Sequence, residues 1–353
     1  MYKVLNLKES EEWILYLNKL PIEQQDIYYT PEYYALYENN GDGKACCFIF
    51  EKDGDLALYP FLINSINKLG YDLDAEYYDI QGAYGYNGVI SSSYDKLFIE
   101  EFYSNFESFC QEKNIVAEFI RFHPLIFNYL FSENNINITF DRKTVYVDLT
   151  KSEEEIFSSF QRSTRKQIRN GVNKYGLKVL TLSNNTSYTD TFTDIYWEAM
   201  KRVNSVKYLY FNKRYFKELF DNSFTYQFIA LYEEKPVAII SAMNYGNFMQ
   251  GHLGGALTNS LHLSSYSLLY WEMIKKAKMS GNTFLHVGGG ATSKENDSLL
   301  KFKQNFSKQL ADFYIGKKIH SDIIYSEVRK QWKKRYPDSF EKNKNMLLGY
   351  REI

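Results

Sequence analysis

The chain has 353 residues, of which 44% are hydrophobic and 24% charged, and 42 Lys and Arg are balanced by 43 Asp and Glu. This length exceeds the roughly 250–300 residues that one hydrophobic core usually serves, so we expect two domains. A formal net charge of −1 argues against a protein whose whole surface binds nucleic acid or anionic lipid, but it leaves room for a local basic site.

Signals of cellular compartment favour the cytoplasm. The three cysteines, Cys46, Cys47 and Cys110, are too few and wrongly spaced for a disulfide framework or a zinc site. The acidic N-terminal stretch contains no apolar core of signal-peptide length. No apolar run approaches the roughly 20 residues of a membrane span. We therefore predict a cytoplasmic protein without a membrane span.

The first half of the sequence predicts a strand, two helices, a hairpin and a crossover. A strand and a helix occupy residues 2–17. The next helix has Thr30 as its N-cap and a proline at its first position, which are both favoured there. A hairpin follows, and its turn lies at Asp53 and Gly54, a strong turn signal. Residues 77–124 are typical of a strand, a loop, a long amphipathic helix and a further strand.

The second half repeats this order. It begins with a strand and a helix whose start carries the capping box of Ser152 and Glu155. A later helix has Asn212 as its cap, and a hairpin turns near residues 234–236. Residues 247–290 repeat the strand, helix and strand of the first half. Each half therefore predicts a mixed sheet covered by helices, an α/β (α+β mixed-sheet) fold.

The repeats set the predicted domain boundaries. We expect an N-terminal domain at residues 1–145 and a C-terminal domain at residues 146–319. Two similar domains side by side leave a cleft, where ligands preferentially bind. Residues 320–353, a basic helix and an apolar tail, lie outside the repeat, and we expect them to pack back on the first domain.

A cluster of cations lies within the stretch FQRSTRKQIRNG. Its members are Arg162, Arg165, Lys166 and Arg169. On a helix that starts at Ser152 they share one face, and no acid follows Glu155 until Asp190. A solvated amphipathic helix explains this pattern without any function. Uncompensated arginines also suit phosphate oxygens, which accept their planar fork of donors.

Three stretches together resemble the FemAB family of peptidoglycan-bridge aminoacyltransferases. They are RSTRKQIRNGVNKYGLKV, YGYNGVI and HVGGGATSKENDSLLKFKQNF, which look like the family's basic helix, its aromatic-glycine loop and its strand-glycine-helix segment. The resemblance covers most of the chain and implies two tandem GNAT-like acyltransferase domains with a cleft between them. The best-known members transfer amino acids from aminoacyl-tRNA to the peptide of a cell-wall precursor that carries a nucleotide or lipid pyrophosphate.

The resemblance implies roles for several residues of the second half. Lys303 matches the family's Phe-Lys position, where a lysine is thought to stabilise negative charge on the attacked carbonyl, by the physics of an oxyanion hole. A surface lysine is the alternative. The cations Arg162, Lys166 and Arg169 would contact the anionic acceptor. Gly288 and Gly289 form either a turn or a point where the backbone approaches a ligand.

Other candidates rest on weaker signals. The resemblance places Tyr84 and Tyr86 on the wall opposite the cations, and loop packing explains them almost as well. Tyr210 and His252 are further candidates for the cleft. His123 lies before a proline where many relatives carry an acid, and a neutral histidine can accept a proton near pH 7. A structural role is the alternative for each histidine.

We therefore expect a cytoplasmic acyltransferase that transfers an aminoacyl group to an amine of an anionic, phosphate-bearing cell-wall-type precursor. The alternatives are an acetyl-CoA-dependent N-acetyltransferase acting on an amino sugar or peptide, and a non-catalytic binding protein with a degenerate GNAT fold. No metal motif is present, so no metal or cofactor is expected.

We favour aminoacyl-tRNA as the donor, with acyl-CoA as the alternative. GNAT enzymes hold the CoA pyrophosphate on amides at a helix start, and residues 256–271 contain no glycine to shape such a loop. We expect no DNA partner and no membrane span, and an acceptor that is linked to a lipid would bring the protein into peripheral contact with a membrane surface.

Overall fold

The computed structural model describes residues 2–353, which form thirteen strands and eleven α-helices. The helices are α1 Ser10–Lys19, α2 Pro31–Asn40, α3 Lys96–Glu112, α4 Glu153–Ser159, α5 Arg162–Asn173, α6 Thr189–Arg202, α7 Lys213–Phe220, α8 Ser265–Met279, α9 Ser298–Lys303, α10 Asp322–Arg335 and α11 Pro337–Asn343. The strands are β1 Tyr2–Leu5, β2 Lys44–Lys52, β3 Asp55–Ser65, β4 Tyr78–Gln81, β5 Ile90–Ser91, β6 Ile115–Arg121, β7 Asn137–Asp148, β8 Lys178–Ser183, β9 Thr225–Tyr232, β10 Lys235–Tyr245, β11 Phe248–Ala256, β12 Phe284–Gly289 and β13 Leu310–Ile319. Among these helices, none in residues 2–353 is long and apolar enough to cross a membrane.

The chain divides into two compact units. One comprises the chain up to Asp141 together with Phe313–Ile353, and the other comprises Arg142–Asp312. The sequence pattern set the corresponding breaks at 145/146 and 319/320. The last strand and the C-terminal helices therefore lie largely within the first unit.

The first unit contains a mixed sheet with the strand order β1-β2-β3-β4-β6-β13, and β5 pairs with β3. Strands β4 and β6 are parallel, because helix α3 carries the chain from one end of the sheet back to the other. The apolar side of α3 is a row of buried phenylalanines at helical spacing. They are Phe98, Phe102, Phe106 and Phe109, which pack with the aromatic side chains of β2 and β3 in one core.

The C-terminal segment completes a second, smaller core in this unit. Val328 and Trp332 of α10 pack with Tyr71 and Tyr350. The hydroxyl of Tyr350 donates to the fully buried carboxylate of Asp79 at 2.7 Å. The tail is therefore held by polar as well as apolar contacts.

The second unit repeats the arrangement with the strand order β7-β12-β11-β10-β9-β8. Strands β11 and β12 are parallel and are joined by α8, as β4 and β6 are joined across α3. The other pairs in this unit are antiparallel. Side chains of α8 such as Leu269, Met273 and Ile274 are buried in the core on the sheet. The structure confirms the predicted mixed-sheet α/β fold.

The hairpin turns and one helix boundary test the local predictions. The first turn lies at Asp53 and Gly54 as predicted, with φ of 52° and 91°. The second lies at Glu233 and Glu234, slightly before the predicted residues 234–236. The single helix predicted from Ser152 is wrong: it is two helices, because Phe160 has extended backbone angles (ψ 155°) between α4 and α5.

Candidate functional site

Strands β11 and β12 separate partway along their length. Their parallel pairing is confined to Phe248–Gln250 of β11 and Phe284–His286 of β12. Beyond those residues β11 continues along β10, while β12 continues along β7. The buried side chains of Gln250 and His286 hydrogen-bond to each other at 3.0 Å where the strands part. We call the gap beyond them the strand opening.

Three of the predicted site residues meet at this opening. The Nζ atom of Lys303 donates to the carbonyl oxygen of Gly289 at 2.7 Å. Gly288 follows a bulge in β12 and has a φ of +76°, in the region that favours glycine. A Cβ atom at Gly288 would lie 3.2 Å from Nζ of Lys303. The structure therefore brings Lys303, Gly288 and Gly289 together.

The ammonium of Lys303 lies in an unusual environment. Burial lowers the pKa of Lys303 to about 8, with Asp297 opposing that shift and Arg142 adding to it. Arg142 itself donates from Nη1 to the carbonyl oxygen of Gly290 at 3.0 Å. With a pKa of about 8, about nine in ten of these side chains carry the charge at pH 7. The site therefore presents a partly desolvated positive charge.

Asp297 fixes the loop that carries this charge. Its Oδ1 accepts hydrogen bonds from the amides of Leu299 and Leu300, which begin α9. The same carboxylate accepts from the amides of Ala291 and Thr292 at 3.2 and 3.0 Å. Burial alone would raise the pKa of Asp297, but these hydrogen bonds lower it to about 2. One carboxylate thus ties the glycine loop to the start of the helix of Lys303.

The predicted cations lie on α5, with different surroundings. Arg162, Lys166 and Arg169 are exposed. Arg162 and Lys166 form no hydrogen bond or ion pair with any residue of the described chain. The guanidinium of Arg169 lies 5.6 Å from the ring centroid of Phe157. Arg165 instead donates to the carbonyl oxygens of Ser158 and Phe160, where it caps the end of α4.

The start of α5 lies beside the end of α9. The amide of Gln161 donates to the carbonyl oxygen of Asn305 at 2.9 Å. The rings of Phe160 and Phe306 are also in edge contact, with centroids 5.4 Å apart. Arg162 directly follows Gln161 in the chain. The first cation of α5 and the helix of Lys303 are therefore neighbours within the second unit.

His252 and Tyr210 occupy separate positions in this unit. His252 lies on β11 beyond the point of separation, and its Nε2 is 2.7 Å from the hydroxyl of Tyr215. Burial lowers the pKa of His252 to about 3, so the ring is neutral at physiological pH. Tyr210 follows α6 in an exposed segment. Within residues 2–353, no hydrogen bond or ring contact joins Tyr210 to a side chain at the strand opening.

His123, the predicted base, is fully buried in the first unit. Its Nδ1 accepts hydrogen bonds from the amides of Leu125 and Ile126 at 3.2 and 3.1 Å. Its Nε2 lies 3.5 Å from the carboxylate of buried Asp26. Both ring nitrogens are thus engaged inside the protein, which gives His123 a structural role and argues against proton transfer with a substrate in this conformation.

The backbone at the aromatic-glycine loop is held by hydrogen bonds from one arginine side chain. Arg121 donates to the carbonyl oxygens of Gly82, Ala83 and Gly85. The half-buried ring of Tyr86 packs in edge contact with His123 at 5.3 Å. The carbonyl oxygen of Tyr84 accepts from Tyr33, and its side chain is also half-buried. Tyr84 and Tyr86 therefore belong to an ordered loop.

Sequence reasoning missed Arg121, Arg142 and Asp297. Both arginines bind backbone carbonyl groups, and such contacts leave no pattern in the sequence. Asp297 did carry a signal, because an aspartate before an apolar helical run is a favoured N-cap. Within residues 2–353, no group of three or more His, Cys, Asp or Glu side chains is arranged to hold a metal ion.

Comparison with known proteins establishes the fold. No protein-family model matches the sequence, and no curated protein matches it. The crystal structure of FemX superposes with a TM-score of 0.69 at 12% identity, covering 92% of this chain and 99% of that chain. L-PGS from Bacillus licheniformis gives 0.56 at 14% identity, covering 90% and 94%. A tandem GNAT protein from the clavulanic acid biosynthesis pathway gives 0.51 at 8% identity, covering 91% and 98%. The chain therefore has a FemAB-like tandem GNAT fold.

Proposed function

We propose that this protein is an acyltransferase that moves an aminoacyl group from an ester donor, such as aminoacyl-tRNA, to an amine of an anionic, phosphate-bearing acceptor. The observation that carries the proposal is the ammonium of Lys303, held on the carbonyl oxygen of Gly289 at 2.7 Å beside the strand opening. The fold shared with FemX and L-PGS supports the same reaction class.

Direct attack of the amine on the ester requires stabilisation of the negative charge on the carbonyl oxygen and requires no covalent intermediate with the enzyme. The acceptor amine attacks the ester carbonyl, a C–N bond forms, the ester C–O bond breaks, and a proton passes from the amine to the leaving oxygen. Negative charge develops on the carbonyl oxygen during the attack, and a fixed positive charge in a desolvated setting stabilises it. Lys303 has three N–H donors and uses one on Gly289, so two remain for the substrate.

The acceptor's phosphate groups would bind the exposed side of α5. Arg162 and Lys166 are exposed and form no ion pair in the described part of the chain, residues 2–353, so binding phosphate there displaces no ion pair among those residues. Arg169 lies on the same face, three residues after Lys166. One arginine guanidinium can donate two parallel hydrogen bonds to phosphate oxygens, and a lysine adds a point charge.

Two features at α8 favour an ester donor over acetyl-CoA. At the helix start, the amide of Ser264 donates to Leu261 and the amide of Ser267 donates to Ser264, so these groups are not free for a pyrophosphate. The hydroxyl of Tyr266 lies 2.6 Å from where a Cβ atom would stand at Gly254 on β11. The centroid of its ring also lies 6.0 Å from the ring centroid of Phe302 on α9. Tyr266 thus takes up room between β11 and α9.

The test measures acyl transfer by purified protein with aminoacyl-tRNA or acetyl-CoA as donor and a phosphate-bearing amine as acceptor. Lys303→Met should lower kcat about 10²- to 10³-fold, the usual cost of losing one such donor. Lys301→Met is the matched control, because that lysine is exposed on the same helix and should retain activity. Thermal unfolding of both variants checks that the fold is intact.

The pH profile separates two roles for Lys303. If the charged form stabilises the developing oxyanion, activity is present below the pKa of about 8 and is lost as the pH rises through it. A lysine that served as the base would give activity that rises through the same pH. Turnover of acetyl-CoA with micromolar affinity would instead support the N-acetyltransferase, and absence of transfer from every donor would support a binding protein.

A further inference from the structure

The turn after α6 exposes aliphatic side chains among cations. Residues 201–210, which we call the basic apolar turn, have the sequence KRVNSVKYLY and contain no acid. The side chains of Val203 and Val206 are 62% and 66% exposed, and Tyr208 is 46% exposed. Single exposed apolar residues need no explanation, but several within one short basic segment indicate an interaction surface.

The basic apolar turn is ordered by contacts with α6. The hydroxyl of Tyr196 donates to the carbonyl oxygen of Leu209 at 2.7 Å. The indole of Trp197 donates to the carbonyl oxygen of Phe211 at 2.8 Å. The amide of Ser205 donates back to Met200. The backbone therefore presents its valines outward from a fixed position.

Its charges are available to an external partner. Lys201 and Lys207 are exposed and form no ion pair or hydrogen bond within residues 2–353. Arg202 differs, because its guanidinium donates to the carbonyl oxygen of Ala256 at 2.7 Å. The next cations along the chain, Lys213 and Arg214, are paired with acids. Two unpaired ammonium groups thus flank the exposed valines.

We propose that the basic apolar turn docks this protein on a membrane surface that contains anionic phospholipids. The lysines complement the phosphate groups, and each cation near such a surface contributes about 1 kcal/mol. The valines and Tyr208 enter the boundary between headgroups and acyl chains, as apolar side chains of interfacial segments do. A nucleic acid would use the lysines but would gain nothing from exposed valines, so the lipid surface fits better. This docking does not depend on the proposed reaction.

The test is sedimentation of the 353-residue protein with large unilamellar vesicles of phosphatidylcholine, with and without phosphatidylglycerol. We expect binding to the mixed vesicles at low salt and weak binding to phosphatidylcholine alone. Lys201→Gln with Lys207→Gln should lower the partition coefficient about 25-fold, from about fivefold for each charge. Val203→Ser with Val206→Ser should lower it about 100-fold, from about tenfold for each buried valine side chain.

The matched control is Lys96→Gln with Leu97→Ser at the start of α3. It removes one exposed lysine and one leucine that is 68% exposed, and its binding should equal that of the unmodified protein. Absence of binding to mixed vesicles, or retained binding in either variant of the turn, overturns the proposal. The same follows if the turn variants lose affinity for tRNA while vesicle binding is unchanged. Equal midpoints of thermal unfolding exclude a folding defect.

Discussion

Replacing Arg351 with methionine removes the charged partner of a buried carboxylate. The Nε atom of Arg351 lies 2.9 and 2.8 Å from the two oxygens of Asp79, and an Nη2 hydrogen bond reaches the carbonyl oxygen of Asn64 at 3.1 Å. Tyr350 donates to the same carboxylate at 2.7 Å. Asp79 and Tyr350 are fully buried. The substitution leaves Asp79 with Tyr350 but without its counter-charge.

The expected loss is a large share of the stability of the first unit. Breaking a buried ion pair by removing one partner costs about 3–5 kcal/mol, against a total of about 5–15 kcal/mol for a typical domain. Tyr350→Phe removes one hydrogen bond to a charged group and should cost about 1.5–3 kcal/mol. Asp79→Asn combined with Arg351→Met should be milder than Arg351→Met alone, because no unpaired charge remains buried.

The pH dependence has a definite sign. Burial raises the pKa of Asp79, while Arg351 and Tyr350 act to lower it. A carboxyl group whose folded-state pKa is raised contributes stability at low pH and loses that contribution as the pH rises through the folded pKa. Without Arg351 the pKa rises further. The deficit of Arg351→Met relative to the unmodified protein should therefore be larger at about pH 7 than at about pH 5.

Urea unfolding followed by circular dichroism measures both effects. Lys330→Met is the control, because it disturbs only an exposed pair with Glu327 on α10 and should change stability by less than about 1 kcal/mol. A loss below about 1 kcal/mol for Arg351→Met, or a loss that does not change with pH, would refute the argument that this buried pair holds the tail.

Two further predictions concern the candidate site. Arg162→Ala with Lys166→Ala should weaken acceptor binding by more than about tenfold at low salt, and the loss should shrink as salt rises because screening already weakens the unmodified protein. Lys174→Ala, an exposed cation just after α5, is the control for binding calorimetry, and equal affinities would mean that the cations of α5 only face solvent. Asp297→Ala should cost about 1–2 kcal/mol in thermal unfolding as a lost N-cap and should lower kcat, whereas unchanged kcat would separate the loop from catalysis.

Local signals explain how much of the fold could be predicted. The turn at Asp53 and Gly54 and the capping box of Ser152 and Glu155 are encoded within a few residues, and the structure contains both. The end of α4 was missed because the sequence continues with residues that suit a helix. The break is stabilised instead by Arg165, which caps α4, and by aromatic contacts of Phe160 with residues distant in sequence.

The candidate site could be predicted only in part, because many of its contacts join residues that are distant in sequence. Lys303, Gly288 and Gly289 were found through a resemblance, and their contact depends on a bulge in β12. His123 was predicted to be a base because it precedes a proline at a position where many relatives carry an acid, whereas its burial and its contact with Asp26 exist only in the folded chain. Arg142 was not found, because a guanidinium that binds a carbonyl group has no sequence motif.

The positive charge of Lys303 stays uncancelled because the polar atoms of neighbouring residues bind other groups. Asp297 is close enough to raise the pKa of Lys303, yet its oxygens are occupied by backbone amides and the hydroxyl of Thr292. The direct partner of Nζ is a neutral carbonyl group, that of Gly289, and a neutral partner leaves the positive charge uncancelled. Arg142 of β7 adds a second positive charge, which is bound to the carbonyl oxygen of Gly290 in the same loop. The field of the ammonium is therefore available at the strand opening, where the proposed reaction would develop negative charge.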